Sequence, residues 1–237
     1  MIAIPALDLR EGTCVQLVGG DYSEERVRVR DPVQALEAWE RCGFTRAHIV
    51  DLDAATERGS NAEIVCELLS ATRLELQVGG GLRSDASVAA VLGAGARYAV
   101  LGTRAVEEPE WLARIANAHP GAIIVAADVR EGIVVCRGWN RSIARDVLEV
   151  IADLNALPLA AVLVTAVHVE GQMRGPDLDL AERVIASSKW PILVAGGVAS
   201  LRDLNALAGL GATGAIIGMA LYTGALDPRA VAQEFAA

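Results

Sequence analysis

Two aspartates sit in matching stretches of this chain. Ile4-Pro5-Ala6-Leu7-Asp8-Leu9-Arg10-Glu11-Gly12 is echoed by Ile124-Val125-Ala126-Ala127-Asp128-Val129-Arg130-Glu131-Gly132, 128 − 8 = 120 positions later in a chain of 237 residues. In each copy an apolar run delivers one carboxylate and is followed by an Arg-Glu-Gly turn. An unpaired carboxylate is costly to bury, so a chain that places one twice in the same setting points to use rather than accident. Two carboxylates related by duplication suggest an acid and a base facing each other across one site. A lone strand-end Asp as often caps a turn or pairs with an Arg; the duplication is what tilts the reading toward chemistry.

Glycines repeat at a similar spacing. Val78-Gly79-Gly80-Gly81 reappears as Ala195-Gly196-Gly197-Val198, an offset of 196 − 79 = 117. Val100-Leu101-Gly102-Thr103 reappears as Ile216-Ile217-Gly218-Met219, an offset of 218 − 102 = 116. Backbone N–H groups cradle a phosphate best where no side chain blocks the approach. Gly196, Gly197 and Gly218 are therefore expected to form one phosphate site, and Gly80, Gly81, Gly102 and Thr103 a second. Two such grips flanking two carboxylates imply an elongated substrate with a phosphate at each end and the reaction in the middle.

The elements that must position these residues alternate. Short apolar runs at 2–7, 47–52, 74–78, 97–101, 122–127, 160–165, 191–195 and 214–217 read as strands buried on both faces. Helical patterns at 32–43, 61–71, 85–95, 109–118, 144–155, 178–188, 201–209 and 228–235 separate them, with caps such as Asp31-Pro32 and Ser84. Strict alternation predicts a parallel sheet, and eight units in this length predict a (β/α)8 TIM barrel. The rival is an open doubly wound sheet; the agreement between halves favours a closed ring. One domain over 1–237 is expected, made of half-barrels at about 1–120 and 121–237. In such a barrel the loops after the strands carry the site, which singles out Asp8, Asp51, Asp53, Asp128 and Thr165 with the glycines.

Composition narrows the function classes. The net charge of −9 argues against nucleic-acid binding, and 53% hydrophobic residues without a charge-free run of membrane-spanning length argue against a membrane protein. Cys14, Cys42, Cys66 and Cys136 have no paired spacing and read as reduced thiols rather than a zinc site or a disulfide frame. No metal site and no cofactor are expected. With no basic, apolar leader at the start, the expected setting is the cytoplasm, and a monomer is expected.

The residues resemble a known family. Pro5–Gly12 together with Gln16-Leu17-Val18-Gly19-Gly20-Asp21-Tyr22, Val50-Asp51-Leu52-Asp53-Ala54-Ala55 and Gly59-Ser60-Asn61 look like ProFAR isomerase of histidine biosynthesis. So do Gln77-Val78-Gly79-Gly80-Gly81-Leu82-Arg83, Gly138-Trp139 and Ala195-Gly196-Gly197-Val198-Ala199-Ser200. The resemblance spans essentially the whole chain. It implies a barrel of two similar halves, no cofactor, and an Amadori rearrangement of a bisphosphorylated phosphoribosyl aminoaldose into its aminoketose. It makes Asp8 the base, Asp128 a candidate acid or orienting partner, and Thr165 a hydrogen-bonding group for the ribose. Arg137-Gly138-Trp139 matches the family's mobile loop, with the Trp covering the substrate.

One stretch departs from the family. Where the family commonly reads Thr-Asp, three residues, then Asp-Gly, this chain has Thr165-Ala166-Val167-His168-Val169-Glu170-Gly171. The first Asp is replaced by Ala166. Glu170 stands where the second, often assigned as the general acid, is expected, and its reference pKa is similar to that of Asp. His168 is an addition, more often structural in such a loop; His48 and His119 read as structural. The alternatives are a bifunctional isomerase that also takes phosphoribosylanthranilate, the cyclase of imidazole glycerol phosphate synthase, and a non-catalytic partner-binding barrel. Relatives of the first kind tend to carry Ser at the place of Gly79, and the cyclase's first strand usually ends Pro-Cys-Leu-Asp. The barrel without activity rests on Ala166 and Glu170 alone.

Overall fold

The computed structural model describes residues 1–136, 139 and 141–235. In chain order the elements are β1 (Ile2–Arg10), β2 (Thr13–Val18), β3 (Asp21–Val29), α1 (Pro32–Cys42), β4 (Arg46–Asp51), α2 (Leu52–Ala55), α3 (Ala62–Ala71), β5 (Glu75–Gly79), α4 (Asp85–Gly93), β6 (Tyr98–Leu101), α5 (Thr103–Glu107) and α6 (Pro109–Ala118). The second half runs β7 (Ile123–Arg130), β8 (Ile133–Cys136), β9 (Arg141–Asp146), α7 (Val147–Leu154), β10 (Ala161–Ala166), α8 (Leu178–Ser187), β11 (Ile192–Ala195), α9 (Leu201–Leu210), β12 (Gly214–Ile217), α10 (Met219–Tyr222) and α11 (Pro228–Phe235).

Eight parallel strands close a ring in the order β1, β4, β5, β6, β7, β10, β11, β12, with β12 returning to β1. This is the expected (β/α)8 barrel. Ile4, Ala6, Val100, Ile124, Leu163, Leu193, Ala195 and Ile216 fill its interior as one apolar cluster, and a second cluster packs between the strands and the helices. The interior cluster fills the barrel, and a cavity opens above it where the strands finish. The helices start on local signals. Asp31 accepts from Gln34 N ahead of Pro32, and Ser84 and Ser200 close capping boxes with Ser87 and Asp203.

β1 and β7 extend three residues past the expected ends at 7 and 127, because each turns back as an antiparallel hairpin. Glu11 (φ 49) with Gly12 (φ 77), and Glu131 (φ 51) with Gly132 (φ 81), form two-residue turns with both φ positive, the geometry that matches strand twist. β2–β3 and β8–β9 are thus two arms, one per half, rising over the mouth beside Asp8 and Asp128.

The glycine turns of the two halves share backbone angles, with one change from the sequence matching. Gly79 is an extended residue of β5, whereas Gly80 (φ 95) and Gly81 (φ 69) share the left-handed backbone of Gly196 (φ 102) and Gly197 (φ 80). Gly80 therefore corresponds to Gly196, an offset of 196 − 80 = 116, the same as from Gly102 to Gly218. A Cβ on Gly80 would run into the backbone of Asp51, and one on Gly196 would lie 2.8 Å from the carbonyl of Ala166. These are close approaches that glycine alone permits. No helix among the described residues is long and apolar enough to cross a membrane.

Candidate active site

One cavity of about 320 Å³ opens at the C-terminal ends of the barrel strands. Asp8, Asp128, Thr165, Glu170, Gly80, Gly81, Gly102, Thr103, Trp139, Gly196, Gly197 and Gly218 all line it. Of the candidates picked out from the sequence, Asp51 and Asp53 are not among the lining residues, and Arg137 lies outside the described residues.

Three carboxylates share this cavity. Asp8 leaves β1 where Asp8 pairs with Val15 of the arm, and burial raises its pKa from 3.8 to about 7. Asp128 stands on β7 next to Thr165 of β10, the two being register partners. Burial raises the Asp128 pKa, while hydrogen bonds from Trp139 and Thr165 favour its ionised form. The indole Nε1 of Trp139 donates to Asp128 Oδ2 at 2.8 Å. Glu170 arrives from the loop after β10, and its pKa rises from 4.5 to about 7 through burial, then through the charges of Asp8 and Asp128. Three acids so close cannot all ionise near neutral pH, and their surroundings separate them. Asp128 has donors that favour its charged form, whereas Glu170 meets two like charges that favour its protonated form.

The glycine turns sit on opposite sides of these carboxylates. Gly102 (φ −100, ψ −118) and Gly218 (φ −100, ψ −102) lead into the short helices α5 and α10 in the same backbone shape. Gly81 packs against Ala54 and Gly197 against Gly175, so the paired turns have the same backbone framing. The two sides differ in charge. Arg83 and Arg104 line the cavity next to Gly81 and Gly102. Arg83 is braced by the carbonyls of Ala54 (2.9 Å) and Ala55 (2.5 Å), and Arg104 donates to the carbonyl of Arg83.

The arms roof the mouth. The ring of Trp139 lies against Gly20 at the tip of β2–β3, where a Cβ would come within 2.6 Å of it. Tyr22, on the same arm, is held between the guanidinium groups of Arg10 (4.7 Å) and Arg58 (4.2 Å), and its hydroxyl donates to the carbonyl of Leu52 at 3.0 Å.

Two strand-end acids are structural instead. Asp51 accepts from Asn61 N (2.7 Å), Asn61 Nδ2 (2.7 Å) and Ala54 N (3.0 Å). Asp53 accepts from Glu11 N (2.7 Å) and Asn61 Nδ2 (3.0 Å). Both are buried and spent on tying the turn of the first arm to the loop after β4. Sequence reasoning also passed over several cavity residues. His48 lines the floor, with Nδ1 2.9 Å from Gln77 Nε2 and its pKa pushed down to about 4 by burial, so it is neutral. Gln16 lies against Gly218 and Tyr22 faces the mouth. A clue to His48 was its two-residue spacing from Val50, which puts both on the same face of β4.

A closed barrel with facing carboxylates at its strand ends is the frame of a (β/α)8-barrel enzyme. Residues 2–227 match the family described as histidine biosynthesis protein, and the chain belongs to it. A curated protein of Gemmatimonas aurantiaca is 54% identical over all of both chains. One of Myxococcus xanthus is also 54% identical over both full lengths. A third, from Picosynechococcus, is 39% identical over 96% of this chain and 90% of its own. All three are named 1-(5-phosphoribosyl)-5-((5-phosphoribosylamino)methylideneamino)imidazole-4-carboxamide isomerase, that is, ProFAR isomerase.

Proposed function

We propose that this protein is a ProFAR isomerase acting in the cytoplasm on a free, bisphosphorylated small molecule. The observation that carries the reading is the placing of Asp8, Asp128 and Glu170 in one cavity between two matched glycine turns. The substrate lies across the mouth, one phosphate on the backbone of Gly80, Gly81, Gly102 and Thr103 and the other on Gly196, Gly197 and Gly218. Arg83 and Arg104 add positive charge at the first end, countering the chain's net −9 locally. One chain lines the whole cavity, so a monomer suffices.

Glu170, kept protonated by its acidic neighbours, gives its proton to the ribose ring oxygen. The ring opens and a protonated Schiff base forms at C1′. Asp8, with its pKa raised to about 7 by burial, is then a strong enough base to take the proton from C2′. Asp128, its carboxylate form favoured by hydrogen bonds from Trp139 and Thr165, faces the positive charge of the Schiff base and stabilises it. The enolamine gains a proton at C1′ and gives up the one on the C2′ hydroxyl, which leaves the ketone and restores acid and base. The rearrangement moves hydrogens within one molecule and consumes no oxidant or reductant.

The test is turnover of ProFAR by purified protein in buffer containing EDTA, with phosphoribosylanthranilate run separately. Conversion of ProFAR to the aminoketose, with phosphoribosylanthranilate turned over far more slowly, is expected. A folded protein that leaves ProFAR unchanged would overturn the reading.

A further inference from the structure

The two halves hold the loop after their second barrel strand by opposite arrangements of charge. In the first half the acids are on the loop. Asp51 and Asp53 accept from Asn61, the N-cap residue of α3, whose Oδ1 in turn accepts from Gly12 N at 2.9 Å. All three side chains are buried.

The second half has the same backbone points with different side chains. Leu9 pairs with Asp51 between β1 and β4, as Val129 pairs with Ala166 between β7 and β10. Gly80 packs on the backbone of Asp51, as Gly196 packs on that of Ala166. Ala166 thus replaces Asp51, His168 replaces Asp53, and Asp177, the N-cap of α8, replaces Asn61. The carboxylate has moved from the loop to the helix start, and an imidazole on the loop meets it. His168 Nε2 lies 3.3 Å from Asp177 Oδ2, while Asp177 Oδ1 caps Leu180 N at 2.9 Å.

This contact closes the segment that carries Glu170. His168 is two residues before Glu170, and its carbonyl accepts from Gln172 Nε2 at 2.7 Å. The segment is also tied by Val167 N to the carbonyl of Val129 (3.0 Å) and by Gly19 N to the carbonyl of Glu170 (3.1 Å). A loosely held loop would let the Glu170 side chain leave the cavity it shares with Asp8 and Asp128. We propose that the His168–Asp177 pair is the anchor that positions Glu170 for the isomerisation, standing in for the carboxylate–carboxamide anchor of the first half. The proposal rests on the role given to Glu170 under the proposed function. It also accounts for the departure at Ala166: what is missing there is a loop anchor, the counterpart of Asp51, and not a proton donor.

The symmetry supplies the test. His168→Ala removes the imidazole that meets Asp177, at a side chain exposed enough to tolerate the change. The triple change His168→Ala, Ala166→Asp, Asp177→Asn rebuilds the Asp51–Asn61 pair at the corresponding place, and Asn caps a helix about as well as Asp. His168→Ala is expected to lower kcat on ProFAR about ten- to hundredfold with KM changed less than about threefold, the scale of a displaced reacting group. The rebuilt anchor is expected to restore most of that loss. In parallel, amide hydrogen exchange of 167–173 is expected to quicken in His168→Ala and slow again in the triple variant. Unchanged kcat in His168→Ala, or a loss that the rebuilt anchor leaves in place although it restores exchange protection, would overturn the proposal. Should the triple variant fail to fold, His168→Gln, which keeps a donor near Asp177, must retain more kcat than His168→Ala or the proposal falls. A wild type that does not turn over ProFAR overturns the function instead; unchanged exchange in His168→Ala would then overturn the anchor as well.

Discussion

Trp139 and Asp128 join the two arms of the barrel to its chemistry. The indole N–H donates to the Asp128 carboxylate at 2.8 Å while the same ring rests on Gly20 of the other half. Trp139 therefore does two things, covering the mouth and donating to Asp128, which favours its carboxylate form. The substitution Trp139→Phe keeps an aromatic cover and removes the donor. Since a hydrogen bond to a charged group contributes about 1.5–3 kcal/mol, kcat is expected to fall about ten- to hundredfold with a modest change in KM. Trp139→Ala is expected to raise KM as well, and steady-state kinetics on ProFAR separate the two effects.

The proposed acid and base predict a narrow pH optimum. Asp8 must be ionised to accept a proton, so activity rises with pH through about 7. Glu170 must be protonated to donate one, so activity falls with pH through about 7. A profile of kcat/KM against pH is expected to be a bell with its maximum near about 7, and Glu170→Asp should move its alkaline limb.

Asp8 also carries a cost in stability. Its pKa in the folded chain is about 7 against an ordinary 3.8, so between these values the folded state binds more protons than the unfolded one. Stability therefore falls as pH rises through that window. Asp8→Asn removes the charge: it is expected to lower kcat by at least about 10²-fold. At about pH 8 it is expected to raise stability by an amount on the order of 1 kcal/mol. Thermal melts of both proteins at about pH 5 and pH 8 check this, the gain being larger at the higher pH.

Two anion sites are expected from the matched turns. A crystal grown with inorganic phosphate should show one ion at Gly81, Gly102 and Thr103 and another at Gly197 and Gly218. Gly197→Ala sets a Cβ against the carbonyl of Gly175 at a backbone φ of 80, and should raise KM for ProFAR at least tenfold or unfold the turn.

Much of this was legible in local sequence. The repeated Asp8 and Asp128 and the repeated glycines need only short identical backbones, and short identical backbones leave short identical strings. The alternation of strand and helix follows from apolar runs and capping residues. What stayed hidden depends on contacts between distant parts of the chain. Nothing local says that Asp51 and Asp53 face the amides of Asn61 and Glu11 while Asp8 faces a cavity; the donors come from other loops. The arms were missed because Glu-Gly is a weak turn signal, and Glu11 and Glu131 adopt a left-handed backbone uncommon for their type. The short helices α2, α5 and α10, four or five residues each, are too brief to show a period. The one-residue slip at Gly79 arose because three glycines in a row look alike until their φ angles are known.

In the proposed mechanism Glu170 supplies the proton that opens the ribose and Asp128 does not. Measuring kcat on ProFAR for Glu170→Gln and Asp128→Asn tests it most directly. Glu170→Gln keeps the size and hydrogen bonding of the side chain and removes only the proton, so kcat is expected to fall at least about 10²-fold with KM little changed. Glu170→Asp should retain activity, reduced by its shorter reach. Asp128→Asn should be the milder of the two substitutions, since it leaves the proton donor intact. A mild Glu170→Gln beside a severe Asp128→Asn, both folded, would contradict the account and make Asp128 the acid.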